Sequence, residues 1–220
     1  MKLNIHLFKY EMLFALANKS ILLSTSFFVI LILTVGIGFG QTGDSSEKTV
    51  IAIIWIATAL SSLLSIKEMF QNDFEDGTLD FYMLSAATLE TIICLKAFTH
   101  WITTNLPIIF LIPLISIPLG ITFYHSILIS LVMLVSTPAL SFISTLGAAL
   151  TLGEKGGNLL LSIFILPTFI PIIIFGMKIS ILITNSVYDI MAHLILFALS
   201  LICLAITPFI TSAIIKVHYS

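Results

Sequence analysis

The sequence has no arginine, two cysteines and few charged side chains, 9% of its 220 residues. A soluble domain carries about 25% charged residues. With 59% of the residues apolar and a mean hydropathy of +1.18, the chain reads as an integral membrane protein. Without arginine, nine lysines supply all the positive charge, which excludes a bidentate guanidinium clamp for phosphate or carboxylate. Cys94 and Cys203 are far apart in sequence and fall at or inside apolar stretches, as packing residues do and as a disulfide or metal pair does not. The net charge of -2, with no basic run, gives no sign of a nucleic-acid partner.

The length accommodates six helical spans of about 20 residues with short connections, so the whole chain, 1–220, is expected to be one membrane domain. The spans are expected at about 20–40, 49–66, 97–119, 126–152, 158–177 and 190–215, with 67–90 between the second and third in water. No Asp, Glu or Lys falls within those six ranges. Proton- or ion-coupled carriers, charged filters and intramembrane enzymes need ionisable groups at depth. Also missing are GxxxxGK[ST], HExxH, GxSxG and any Cys/His cluster at ligand spacing, so the chain has no motor and no catalytic constellation of its own.

Residues 67–90, KEMFQNDFEDGTLDFYMLSAATLE, hold what the rest lacks. Six of the eleven carboxylates are here: Glu68, Asp73, Glu75, Asp76, Asp80 and Glu90. A carboxylate at mid-membrane costs roughly 3 kcal/mol or more, so this stretch lies in water. Phe70 and Phe74 are spaced to share one helix face, as are Leu79 and Met83. Asp76-Gly77 is a turn signal, with Thr78 able to cap the helix after it and Thr88, followed by Glu90, able to start the next. Two short amphipathic helices meeting at a glycine are expected, pressed against a membrane or a partner. Anionic lipid on the cytoplasmic leaflet repels carboxylates. A cytosolic protein with a basic-edged, apolar-floored groove suits the segment better.

Residues 1–19 read as an interfacial helix, with Leu3, Leu7, Tyr10 and Phe14 on one side and Asn4, Glu11 and Asn18 in a polar stripe on another. Its lysines and glutamate, and the long apolar run after it, do not fit a cleavable signal peptide. GIGFG at 36–40 contains a GxxxG, compatible with close helix approach or with a flexible exit from the bilayer. QTGDSSEK at 41–48 and GEKGG at 153–157 read as turns. All seven prolines fall in or at the ends of the last four spans, where kinks serve a pathway, a hinge or nothing in particular. A cytoplasmic N-terminus puts seven of the nine lysines inside, as the positive-inside rule requires, and both termini and the acidic stretch with them. His125 and His193 lie near the outer surface, as ligands for a metal or heme iron or as imidazoles bonded to backbone or water, and the second fits better across two intervening spans. His100, beside Trp101, is expected to be an interface anchor.

Two stretches, FQNDFEDGTLD at 70–80 and TPALSFISTLGAALTLGEKGGNLLLSIFILPTFIPIIIFG at 137–176, carry a resemblance to the heme exporter protein B (CcmB) family over nearly the whole length. The acids followed by Gly-Thr-Leu also resemble the coupling helix of type-2 ABC exporters. The family usually has basic residues where Gln71, Glu154 and Lys155 stand and prolines at 85–88, and the chain departs from this at Gln71, at Glu154 and at 85–88. The resemblance implies an all-α, six-span, type-2 ABC exporter-like permease of the bacterial inner membrane, with both termini inside and present in two copies. Its implied partners are a cytosolic ATPase (CcmA), a heme-handling membrane protein (CcmC), a small accessory subunit (CcmD) and a periplasmic heme chaperone (CcmE). Heme and ATP are then handled by those partners, with no cofactor or metal bound here directly. ATP hydrolysis by the partner is expected to drive heme export or release of the loaded chaperone. By position, Asp73, Phe74, Glu75, Asp76, Gly77, Thr78 and Leu79, together with Phe70 from the residue pattern, are the expected ATPase-facing residues. The alternative is a non-transporting scaffold that recruits heme-delivery proteins.

Overall fold

The computed structural model describes residues 7–9, 11–13, 15, 20–39, 44–66, 68–85, 87–153 and 158–218. Among these there is no strand. Residues 7–9 and 11–13 are helical, and after them come α1 (Ser20–Phe39), α2 (Asp44–Leu64) and the short α3 (Glu68–Glu75) and α4 (Thr78–Leu84). Next is α5 (Leu89–His100), which continues through a π-helical turn (Trp101–Asn105) into α6 (Leu106–Ser116) and a 3₁₀ turn (Ile117–Leu119). Three long helices complete the order: α7 (Phe123–Leu150), α8 (Asn158–Thr184) and α9 (Ile190–His218).

Among the described residues five stretches are long and apolar enough to cross a membrane: Glu47–Glu75, Leu89–Leu119, Phe123–Leu150, Ile165–Thr184 and Ile190–His218. The first joins the apolar part of α2 to the acidic α3. α1 is a helix of 20 residues that includes the apolar stretch Leu22–Thr34. The helices extend beyond several expected bounds, most clearly at the third span, which starts at Leu89 and not near Ala97. The Thr88 hydroxyl accepts from the Thr91 N–H, capping a turn that brings Glu90 and Lys96 into the helix. The side chains of GIGFG, and residues 40–43 and 154–157, lie outside what is described.

The π turn has a local cause. Pro107 brings no N–H and its ring crowds the carbonyl of Thr103. Just before it the Leu106 N–H reaches the Trp101 carbonyl five residues back, the register of a π bond.

α7 is the middle of the bundle, in contact with α5, α6, α8 and α9. Its inner face is made of small and hydroxyl residues, Ser136, Thr137, Ala139, Ser141, Ser144, Thr145 and Ala148, all buried. In lipid, burial of apolar surface gives helices little reason to associate, and close backbone approach with interhelical hydrogen bonds takes its place. Thr145 and Thr211 meet 3.1 Å apart across α7 and α9. Outward, Leu201, Ile202, Ile206, Phe209 and Ile210 of α9 are exposed, a face suited to lipid chains.

Candidate functional site

α3 and α4 form a helical hairpin hinged on one glycine. Within α3 the Gln71 amide donates to Glu75 Oε1 at 2.7 Å, one helical turn apart. The helix closes when the N–H groups of Asp76 and Gly77 reach the carbonyls of Asn72 and Phe74. Gly77 sits at φ 72°, ψ 8°, the left-handed conformation that a side chain disfavours. Because Gly77 occupies the N-cap of α4, Thr78 is one residue too far in and makes no cap hydrogen bond, contrary to the expectation.

The hairpin has two unlike faces. Phe70, Leu79 and Tyr82 are buried, and the Asp73 carboxylate points the same way. Leu79 therefore pairs with Tyr82 one turn on, while Met83, expected beside it, is exposed. On the other face Glu75, Asp76, Asp80 and Phe81 are exposed. Phe74 is part-exposed, its ring beside Gly153 in the turn after α7, and the Gly153 N–H reaches Gln71 Oε1 at 3.4 Å. Of the eight residues expected to face a partner, Phe70, Asp73 and Leu79 are thus turned into the chain. Phe74, Glu75 and Asp76 look out, with Gly77 and Thr78 between.

The inner face closes on Lys96. Its Nζ lies 2.6 Å from Asp73 Oδ2 and 2.8 Å from Glu11 Oε1, and donates to Glu11 Oε2 at 2.9 Å. The Tyr82 hydroxyl donates to Glu11 Oε1 at 3.1 Å. The rings of Phe70 and Tyr82 each lie 5.8 Å from the ammonium, within cation–π range. All three charged side chains are nearly out of solvent, Lys96 at 5% exposure, Glu11 at 9% and Asp73 at 13%. Burial pushes the Asp73 carboxyl above its ordinary value, and the opposing pull of the Lys96 charge does not cancel it. Glu11, expected on the polar stripe of a surface helix, instead faces inward, so the segment ahead of α1 is held to the bundle by charge. The rest of that expected stripe, Asn4 and Asn18, lies outside the described residues, as do Leu3, Tyr10 and Phe14.

One turn above Lys96, His100 is buried and is no interface anchor. Its Nε2 lies 2.7 Å from Ser65 Oγ and its Nδ1 3.0 Å from Ser141 Oγ. Asn105, at the end of the π turn, donates to Ser141 Oγ at 2.9 Å and accepts from Ser62 Oγ at 2.8 Å. Ser65 also meets Thr104 at 3.2 Å. α5 is thereby tied to α7 and to the end of α2, with Thr104 and Asn105 of the π turn reaching Ser65, Ser62 and Ser141. At the opposite end of the bundle, His193 Nδ1 donates to the Asp189 carbonyl at 2.7 Å beside the Tyr188 ring, and His125 lies against Tyr124. Among the described residues no three His, Cys, Asp or Glu side chains are grouped to hold a metal, and Cys94 and Cys203 are free thiols.

Comparison with known proteins agrees with this architecture: the model of the CcmB protein family matches residues 2–218. The chain belongs to the CcmB family. Heme exporter protein B of Rhodobacter capsulatus is 38% identical over 70% of this chain and 71% of its own length. The protein of that name from Paracoccus denitrificans is 35% identical over 89% and 90%, and that from Pseudomonas aeruginosa 33% over 87% and 86%. A multi-pass, all-α membrane protein is what both the matches and the helices describe.

For this CcmB-family chain the residue pattern locates two short helices meeting at Gly77, and it does not show what holds them. The positive-inside pattern distinguishes Lys96 in no way from the other lysines on that side. The signal is nevertheless present: Lys96, His100 and Thr104 recur at four-residue spacing, as Thr58 and Ser62 do on α2, with Ser65 just past its end.

Proposed function

We propose that the chain is the membrane subunit of an ABC-type complex of cytochrome c maturation, and that a cytosolic ATPase docks on the outer face of α3 and α4. The names of its relatives support heme export as the process served. In this reading the chain crosses the bacterial inner membrane six times with both termini inside, is present twice in the complex, and works with CcmA, CcmC, CcmD and CcmE. It is not itself an enzyme: heme and ATP are handled by the partners, and hydrolysis drives heme export or release of the heme-loaded periplasmic chaperone.

One observation carries this conclusion. The hairpin presents Phe74, Glu75 and Asp76 outward, while its other side is clamped to α5 through Lys96. A partner pressing on the outer face therefore loads a membrane helix directly. The apolar ring between acids is also chemically matched to a groove with basic edges.

Phe74→Ala combined with Asp76→Lys tests the assignment, because both side chains lie outside the Lys96 cluster. The expected outcome is that the ATPase no longer co-purifies and maturation is lost. Retention of the ATPase with turnover still coupled to chaperone release would remove the docking face. Intact maturation with an ATPase that binds but cannot hydrolyse ATP would favour the scaffold reading instead.

A further inference from the structure

The inner face of the hairpin and the interior of the membrane domain are joined by two groups of polar contacts one helical turn apart on α5. Asp73 of α3 meets Lys96 of α5 at 2.6 Å, and His100 stands one turn along on the same helix, bridging Ser65 and Ser141. Thr104 and Asn105 follow at the π turn, reaching Ser65, Ser62 and Ser141. Every member is buried except Asp73, which is partly so. A π turn holds one surplus residue, so at that place a helix can shift its hydrogen-bond partners without breaking. α3 makes no covalent link to α5 except through α4 and the stretch 85–88, part of which is exposed. Among the described residues the Lys96 ammonium gives α3 and α5 a direct polar connection.

We propose that Lys96 is the positioning residue through which movement of α3 reaches the membrane-spanning helices, with Asp73 as its input and the π turn at Trp101–Asn105 as the place where the helix yields. Glu11 has a different part: it ties the segment ahead of α1, and α4 through the Tyr82 hydroxyl, to the same ammonium. This inference rests on the docking of an ATPase at the outer face. It adds that the stroke passes through one ion pair, and not through the chain connection of α4 to α5.

Cys94, a half-buried free thiol two residues before Lys96, is a built-in reporter of α5. In the intact complex with Cys203→Ser, the rate of Cys94 alkylation by a membrane-permeant maleimide is measured with and without ATP. The rate is expected to change with ATP in the unmodified chain and in Glu11→Gln. In Asp73→Asn the ATPase still co-purifies but the ATP response shrinks roughly 5-fold or more, the low end of ordinary coupling energies. Asp73→Glu restores it. A full response in Asp73→Asn, an equal loss in Glu11→Gln and Asp73→Asn, or no response in the unmodified chain would each overturn the inference. Loss of the ATPase from Asp73→Asn alone would overturn it too, by making Asp73 part of the docking face. Absence of the ATPase from the unmodified chain would instead defeat the proposed function, and this inference with it.

Discussion

Trp55 lies across Gly176, and its indole N–H donates to Ser180 Oγ at 3.0 Å. The Ser180 hydroxyl in turn donates to the Gly176 carbonyl at 2.8 Å, so one aromatic side chain of α2 covers a full turn of α8. A Cβ at 176 would run into the six-membered edge of the indole. Replacing a helical glycine by alanine ordinarily gains about 1 kcal/mol, whereas forcing a methyl into a filled contact costs about 1–3 kcal/mol. Here the second outweighs the first, because the neighbour is a rigid bicycle and not the end of a flexible chain. Gly176→Ala is expected to lower the thermal midpoint in detergent, and Trp55→Phe combined with it to recover part of the loss. A raised midpoint for Gly176→Ala would show that the helices stand further apart.

Asn105 spends its amide on two helices at once, accepting from Ser62 and donating to Ser141. Asn105→Leu keeps the volume and removes both bonds. The Ser62 hydroxyl still has the Thr58 carbonyl at 3.0 Å, and Ser141 still has His100, so neither is left without a partner. Interhelical hydrogen bonds in membranes are worth about 0.6 kcal/mol on average and up to about 2. A loss of about 1–2 kcal/mol is therefore expected in reversible unfolding, not the collapse that an orphaned buried charge produces. An unchanged stability would mean the network has no energetic weight.

The contrast between what the sequence revealed and what it hid has a physical basis. The approximate places of the long helices follow from apolar runs, and the α3–α4 break from Asp76-Gly77, because both are local in the chain, whereas the early start at Leu89 is set by the Thr88 cap. Which face of α3 turns inward is not local. Phe70 and Phe74 have the same chemistry and share a wheel position, and only Lys96, more than twenty residues away, draws Asp73 and with it Phe70 inside. Glu11 shows the same limit more sharply, since its partner lies 85 residues on. An acid on a helical wheel cannot show whether water or a buried ammonium faces it.

Lys96 holds two carboxylates with one ammonium, and this asymmetry sets the consequence of removing it. Lys96→Met keeps most of the apolar stem that packs near Phe70 and Tyr82 and leaves Glu11 and Asp73 buried side by side. Breaking a buried pair by deleting one partner costs about 3–5 kcal/mol, whereas replacing all the charges with neutral groups of similar shape is often nearly neutral. Lys96→Met is therefore expected to cut the yield and thermal midpoint severely. Adding Glu11→Gln and Asp73→Asn to it should recover most of the loss. A triple variant as unstable as the single one would show that packing, not charge balance, dominates the cluster.

At the other end of the bundle Asp189 closes the loop between α8 and α9, and its protonation can be followed through stability. Its Oδ1 accepts from the Ala192 N–H at 3.2 Å and its Oδ2 pairs with Lys178 at 3.1 Å. The backbone N–H first, and the lysine second, hold the carboxyl below its ordinary value of 3.8. A group whose folded pKa is depressed contributes its stabilisation in full above the unfolded pKa and loses it as the pH falls through the folded one. Asp189→Ala, which removes both the helix cap and the ion pair, is accordingly expected to melt below the parent chain at neutral pH. The gap should begin to close as the pH falls below about 4 and should vanish once the parent's own carboxyl is protonated. Parallel melting curves in detergent from neutral pH downward give the comparison, and a gap that stays constant through the acid range would take the carboxylate out of the account.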